Sequence, residues 1–196
     1  MAFKSPKQII ESSFNISCAK VALPWQKMLV LGFLAGAYIA FGGLLAIVVG
    51  KAVNTEILGV GIGKFIFGGV FPVGIMLVVI AGSELFTGNC GLITPGCLAG
   101  KAKWSGLLKN WGLVYIGNFV GSVFVAYFLA HATGITTSEP WLSASQAIAV
   151  GKVSKDFWPL FWRGVGCNWL VCLGVWLAVA SDDVTGKIWG LWFPIM

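Results

Sequence analysis

Four long apolar segments dominate the sequence and limit the folds available to it. They cover residues 28–49, 65–99, 107–130 and 157–180, and the first of them contains no charged residue. A helix needs about 20 mostly apolar residues to cross the hydrocarbon core of a bilayer, where every backbone N–H and C=O must be paired internally. Since 58% of the residues are hydrophobic and only 10% are charged, a water-soluble fold is excluded. The pattern predicts an all-α, polytopic transmembrane helical bundle forming one domain over residues 1–196.

The second apolar segment is too long for one simple crossing, and polar residues interrupt it. We interpret it as one crossing made of two half-helices, broken at residues 82–90. Irregular backbone at membrane depth persists only where protein buries it or where it lines a wet cavity. A solute pathway is therefore the favoured interpretation, and a packing kink at Gly82 and Gly88 is the alternative.

The polar residues in these segments each admit two roles. Glu84 is an ionisable group within a span and hence a functional candidate, but we favour a structural role in which it accepts hydrogen bonds from the freed amides of its own loop. Thr87 and Asn89 either bind a solute or cap the second half-helix. Asn168, midway along the fourth segment, either joins helices or points into a pore.

Charged residues outside the spans give weaker signals. Lys152 is either a pore-mouth cation that concentrates anions or a solvated loop lysine, and His131 at a span end is interpreted as solvent-facing. The net charge of +6 reflects lysines that flank spans, so no nucleic-acid partner is predicted. The five cysteines contain no C-x-x-C pair, and no nucleotide loop or catalytic set is visible. We predict no enzyme, no cofactor and no metal site.

The distribution of lysine and arginine predicts the orientation. Eight of these residues fall on one side of the predicted spans and five on the other. Because cytoplasmic loops carry the excess of positive charge, the N-terminus is predicted to be cytoplasmic in a multi-pass protein of the cell (plasma) membrane, with residues 50–64 and 131–156 facing outward. The larger group is Lys4, Lys7, Lys20, Lys27, Lys101, Lys103, Lys109 and Lys187, and the smaller is Lys51, Lys64, Lys152, Lys155 and Arg163.

Two further features are the spacing of the glycines and the short apolar stretch that ends the sequence. Glycines recur four residues apart within spans, as at Gly32 and Gly36 and at Gly117 and Gly121, which predicts a tightly packed bundle or an oligomer. A fifth apolar stretch opens at Ile188, and the sequence stops at Met196 before a bilayer is crossed. We expect a chain truncated inside a span, whether as a fragment or as a product of this length.

Three motifs occur in order along the chain. They are Ala81-Gly82-Ser83-Glu84-Leu85-Phe86-Thr87-Gly88-Asn89, then Lys109-Asn110-Trp111 with Gly117-Asn118, and finally Cys167-Asn168-Trp169-Leu170-Val171-Cys172-Leu173. Together they resemble the formate/nitrite transporter family, and within it the formate transporters of methanogenic archaea. The fifth apolar stretch also resembles the start of that family's fifth helix.

This resemblance implies an aquaporin-like protomer of six helices in two inverted halves with two broken helices, assembled as a homopentamer. The sixth span and most of the fifth, including the family's central pore histidine, correspond to positions beyond Met196. The implied pore and constriction residues are Phe71, Ile75, Leu85, Phe86, Thr87 and Asn168, with Leu85 to Thr87 as a mobile loop. Lys152 matches a vestibule lysine that attracts anions. From their positions in the break, we predict that Glu84 and Asn89 stabilise the loop.

The implied function is passage of a small monovalent anion, most simply formate, through a narrow apolar pore with proton coupling as an option. An apolar constriction opposes a bare charge, so positive potential or transient protonation must lower the barrier. The alternatives are a nitrite or hydrosulfide channel of the same family, a non-transporting membrane scaffold, and a neutral-solute channel, although the paired Asn-Pro-Ala sequences of such channels are missing. The preferred anion, the direction of transport and the gating stay open.

Overall fold

The computed structural model describes residues 3–53 and 55–196, without the side chains of Thr55 and Leu58. This part of the chain is almost entirely helical. The helices are α1 (Pro6–Val21), α2 (Trp25–Gly50), α3 (Thr55–Val70), α4 (Val73–Met76, continued as a π-helix over Leu77–Gly82), α5 (Phe86–Leu98), α6 (Trp104–Phe124, continued as a π-helix over Val125–His131), α7 (Trp141–Val153), α8 (Phe157–Ala180) and α9 (Val184–Ile195).

Four helical segments in the described residues are long and apolar enough to cross a membrane. They are Trp25–Gly50, Gly59–Gly82, Trp104–His131 and Phe157–Ala180, and together with the helical content they confirm the predicted all-α membrane bundle. The second span begins before residue 65, because much of the segment that we assigned to an outer loop at residues 50–64 is helical. The outer segment at residues 131–156 likewise contains α7, whose Trp141 indole Nε1 donates to the carbonyl of Val48 at 3.0 Å.

The break in the second span is shorter than the sequence predicted. Gly82 ends α4 in the left-handed region, with φ of 84°, a conformation that glycine adopts without strain. Ser83 and Leu85 are extended, and α5 begins at Phe86. The non-helical segment is therefore residues 83–85 and not 82–90, and Phe86 to Asn89 belong to the first turn of a helix.

Glycines allow α2 and α6 to pack with their backbones in contact. A Cβ atom at Gly36 would lie 2.0 Å from the carbonyl oxygen of Asn118, and one at Gly121 would lie 2.0 Å from that of Phe33. Small residues at such positions let helices approach closely in lipid, where the hydrophobic effect does not drive association. The predicted close packing of glycine-bearing spans is thus found between these two helices, and it fixes α6 beside the break.

The N-terminal segment, which the sequence suggested only as a polar flank, forms helix α1. Ser5 and Gln8 form a reciprocal capping box at its start. The helix packs on α5, where the Ser17 hydroxyl donates to the carbonyl of Leu92 at 2.6 Å and Gly96 provides the space. This contact brings the C-terminal turn of α1 against the broken span.

The N-terminal segment meets the α8–α9 junction beside the same region. Helix α9 begins at Val184, before the apolar stretch that opens at Ile188, and Asp183 caps it by accepting a hydrogen bond from the Gly186 amide at 2.7 Å. The Lys4 amide donates to the carbonyl of Ala180 at 2.8 Å. A buried apolar cluster that includes Ile75, Leu92, Val175 and Leu191 joins α4, α5, α8 and α9 beneath these contacts.

Candidate functional site

A cavity of about 670 Å³ opens between α1, the break and the α8–α9 junction. Apolar side chains, among them Ile75, Val78, Leu85 and Leu92, form part of its wall. Leu85 also packs against the buried cluster that contains Ile75. The polar part of the lining consists of Lys4, Ser12, Lys20, Ser83, Glu84, Asn89, Ser181, Asp182 and Lys187.

Glu84 is the centre of a buried polar network. The residue is 6% exposed, and its Oε1 lies 2.7 Å from the Lys20 ammonium of α1. Its Oε2 accepts hydrogen bonds from the Asn89 amide at 2.7 Å and from the Asn110 amide at 3.4 Å. The prediction that Glu84 accepts from the amides of its own loop is wrong, because these side chains occupy the carboxylate instead.

Asn118 of α6 and a carbonyl of α2 satisfy the backbone of the break. The Phe86 amide donates to Asn118 Oδ1 at 2.9 Å, and Asn118 Nδ2 donates to the carbonyls of Gly32 and Glu84, each at 2.8 Å. The Glu84 amide donates to the carbonyl of Leu31 at 3.2 Å. Irregular backbone at this depth is thus paired by protein groups, as the absence of water in a bilayer core requires.

Asn89 and Thr87 do not cap α5, since its N-cap residue is Leu85, whose own side chain makes no capping hydrogen bond. Asn89 is 1% exposed, and its Nδ2 donates both to Glu84 and, at 2.8 Å, to Asn110 Oδ1. This places Asn89 in the network that holds the break. The Thr87 carbonyl accepts a hydrogen bond from the Cys172 thiol of α8 at 3.3 Å.

The structure brings together only part of the proposed constriction. Ile75, which is 1% exposed, and Leu85 line the cavity. Phe86 instead packs edge-on against Trp111 and Tyr115, with ring centroids 5.7 and 5.4 Å apart. The ring of Phe71 lies in the bend before α4, where it contacts the Gly43 position of α2.

Asn168, predicted to face the pore, and Lys152, predicted to attract anions, lie outside this cavity. Asn168 lines a separate open groove of about 660 Å³ along α8, together with Phe161, Gly164 and Cys172. Its Oδ1 accepts a weak hydrogen bond from the Cys172 thiol at 3.8 Å. Lys152 is exposed in the last turn of α7, outside the cavity and the groove.

The charges around the cavity leave an excess of one positive charge. Its lining contains three lysines, Lys4, Lys20 and Lys187, and two carboxylates, Glu84 and Asp182. Lys4 pairs with Asp182, and the hydrogen bond from Lys4 lowers the pKa of the Asp182 carboxyl, with smaller contributions from the charges of Lys4 and Lys187. The lining is therefore suited to attract an anion toward its apolar part.

Sequence reasoning missed several residues of this site. The pairing of Lys20 with Glu84 joins residues 64 positions apart, which no local pattern reveals. Asn110 and Asn118 lie eight residues apart, a spacing that places both on one face of a helix. That signal was present in the motif that carried the family resemblance, but it gave no role to either residue.

Metal-binding groups of three or more histidine, cysteine or acidic residues are not found among residues 3–53 and 55–196. The five cysteines in that part of the chain are free thiols.

Comparison with known proteins identifies the family. A family model described as formate/nitrite transporter matches residues 7–196. A probable formate transporter of Methanothermobacter thermautotrophicus is 53% identical, over 99% of this chain and 76% of that protein. The formate channel BtFdhC of Bacillus thuringiensis is 43% identical, over 100% of this chain and 74% of that protein.

A solved structure described as a pentameric formate channel with formate bound superposes with a TM-score of 0.72. It is 31% identical, and the match covers 87% of this chain and 66% of that one. The present chain spans about three quarters of the length of the two relatives. The resemblance carried by the three motifs is thereby confirmed, and the chain belongs to the formate/nitrite transporter family.

Proposed function

We propose that the protein passes a small monovalent anion, formate, across the membrane through a pathway that includes the cavity beside the break. The observation that carries the proposal is the lining itself, in which an excess positive charge adjoins an apolar wall containing Ile75 and Leu85. Positive potential in a water-filled mouth raises the local concentration of anions, and the diameter of a narrow part limits the size of the solute that passes. The names of the relatives support formate over nitrite or hydrosulfide.

The remaining sequence-based assignments are part of this proposal. Ile75 and Leu85 form the narrow part at the cavity, Asn168 faces the pathway from α8, and Phe71, Phe86 and Thr87 flank the narrow part. Lys152 attracts anions at the opposite mouth. We propose that the protein lies in the plasma membrane with a cytoplasmic N-terminus and forms a homopentamer. The similarity to a pentameric formate channel supports this oligomeric state.

Flux into liposomes tests the transport role. The full-length protein is reconstituted, and uptake of radiolabelled formate, nitrite, glycerol and benzenesulfonate is compared with empty liposomes. We expect formate to pass fastest and benzenesulfonate to be excluded. Fast glycerol uptake would identify a neutral-solute channel instead, and equal passage of formate and benzenesulfonate would contradict selection by size. Repeating formate uptake with an imposed pH gradient tests proton coupling, which predicts faster uptake from the acidic side.

Two substitutions separate a transporter from a scaffold. Thr87→Val and Asn168→Leu remove polar groups from the proposed pathway, and Thr137→Val is a matched change at an exposed outer residue. We expect reduced formate flux in the first two variants with unchanged assembly in native gels. Unchanged flux in both, with altered assembly, would favour the scaffold.

A further inference from the structure

Lys187 differs from the other lysines of the cavity in its pairing. Lys20 lies 2.7 Å from Glu84, and Lys4 is paired with Asp182. Among the described residues, these two carboxylates are the only acidic groups that line the cavity. Within the described residues, no carboxylate lies within ion-pair distance of Lys187. The excess positive charge of the cavity therefore resides on Lys187.

Lys187 lies near the start of its helix, in the first turn of α9 (Val184–Ile195). The partial positive charge of that helix end is already offset by the Asp183 carboxylate, which accepts a hydrogen bond from the Gly186 amide at 2.7 Å. Lys187 is also half-buried, which limits screening by solvent. The ammonium, and not the helix end, therefore raises the potential of the cavity.

We infer that Lys187 is the residue that concentrates small anions in this cavity before they reach the narrow part near Ile75 and Leu85. This inference rests on the proposed function and gives it a specific electrostatic origin. Lys187 acts by its charge at a distance, without a built binding pocket. Its effect must therefore depend on ionic strength. The Debye length, the distance over which salt screens a charge, is about 30 Å at 0.01 M and about 8 Å at 0.15 M.

The size of the effect follows from Coulomb's law. One unit charge acting on a monovalent anion about 8 Å away in water changes its local concentration by about 2- to 3-fold. Lys187→Met removes the charge and keeps an unbranched side chain. Asp182→Asn removes a negative charge from the same lining and retains a hydrogen-bond acceptor for Lys4. The two variants are expected to change flux in opposite directions.

The experiment measures initial formate uptake at low substrate concentration in liposomes that contain the full-length protein. At about 10 mM ionic strength we expect Lys187→Met to lower uptake by about 2- to 3-fold and Asp182→Asn to raise it by a similar factor. At about 1 M, where the Debye length is about 3 Å, both differences should nearly disappear. Lys103→Met, which removes an exposed lysine outside the cavity, should match the parent protein at both salt concentrations.

Three results would overturn the inference. They are equal uptake by Lys187→Met and the parent protein at low salt, a loss of the same size at both salt concentrations, and a loss of the same size in Lys103→Met. The second result would mark Lys187 as structural, and the third would mark a diffuse surface effect. Failure of the parent protein to transport formate would instead contradict the proposed function, so the two failures are distinguishable.

Discussion

The Lys20 ammonium lies 2.7 Å from Glu84 Oε1, and the two side chains are 15% and 7% exposed. This pair ties α1 to the break in the second span. Removing one member of a buried pair leaves an uncompensated charge, which costs about 3–5 kcal/mol. We therefore expect Lys20→Met to lower the thermal stability of the detergent-solubilised protein strongly, and the double variant Lys20→Met/Glu84→Gln to be more stable than Lys20→Met alone. A double variant no more stable than Lys20→Met would contradict the pairing.

Asn118 carries the hydrogen bonds that replace regular helix at the break. Asn118→Leu leaves the Phe86 amide and the carbonyls of Gly32 and Glu84 without their partner, at about 1–3 kcal/mol for a buried unsatisfied group. We expect faster amide hydrogen exchange at Phe86, measured by mass spectrometry on overlapping peptides. Ser122→Ala on the same helix removes a single local bond to the carbonyl of Phe119 and should leave this exchange unchanged. Equal exchange in the two variants would contradict the role of Asn118.

Close contact between α2 and α6 makes Gly36 intolerant of a side chain. Gly36→Ala places a Cβ against the Asn118 carbonyl, 2.0 Å away in the present geometry, and overpacking of this kind costs about 1–3 kcal/mol. Gly112→Ala is the matched control, since nothing lies within 4 Å of its Cβ position and alanine is the better helix former. Thermal unfolding should show a lower midpoint for Gly36→Ala and an equal or higher one for Gly112→Ala. Equal midpoints would show that the two helices separate easily.

The contact between the N-terminal segment and the end of α8 should depend on pH. Because Lys4 lowers the pKa of Asp182, the stabilising contribution is present above the ordinary aspartate value of about 3.9 and is lost as the pH falls through the lower folded value. We expect the Lys4 amide resonance, which reports its bond to the Ala180 carbonyl, to shift with a midpoint below about 3.9. Asp182→Asn should abolish this transition. A midpoint above that value would contradict the contact.

Sequence reasoning located the spans because their apolar character is a property of composition over about 20 residues. It found the interruption for the same reason, since Ser83 and Glu84 stand out in an apolar run. It placed the end of the break wrongly because Phe86 to Asn89 resemble a loop by composition, whereas their helical state depends on packing against α6 and α8.

The site was less predictable than the fold. Glu84 was identified from its charge alone, but its partners come from α1, α5 and α6, and such long-range contacts leave no periodic signal. Lys152 was identified through the family resemblance, and the structure neither places it in the cavity nor tests its role. Lys187 was counted only as a topological marker, because its separation from any carboxylate is a property of three-dimensional position.

The Asn118 side chain replaces helical hydrogen bonds that the break lacks. This arrangement determines which mutations can alter the pathway. A residue of one helix holds the backbone of another, so the shape of the pathway is encoded partly on α6, at a position that does not line the cavity described above. Changes in the facing surfaces of α2 and α6 would thus be transmitted to Leu85 through Asn118. Tuning of selectivity in relatives is accordingly expected at that helix pair as well as along the pathway itself.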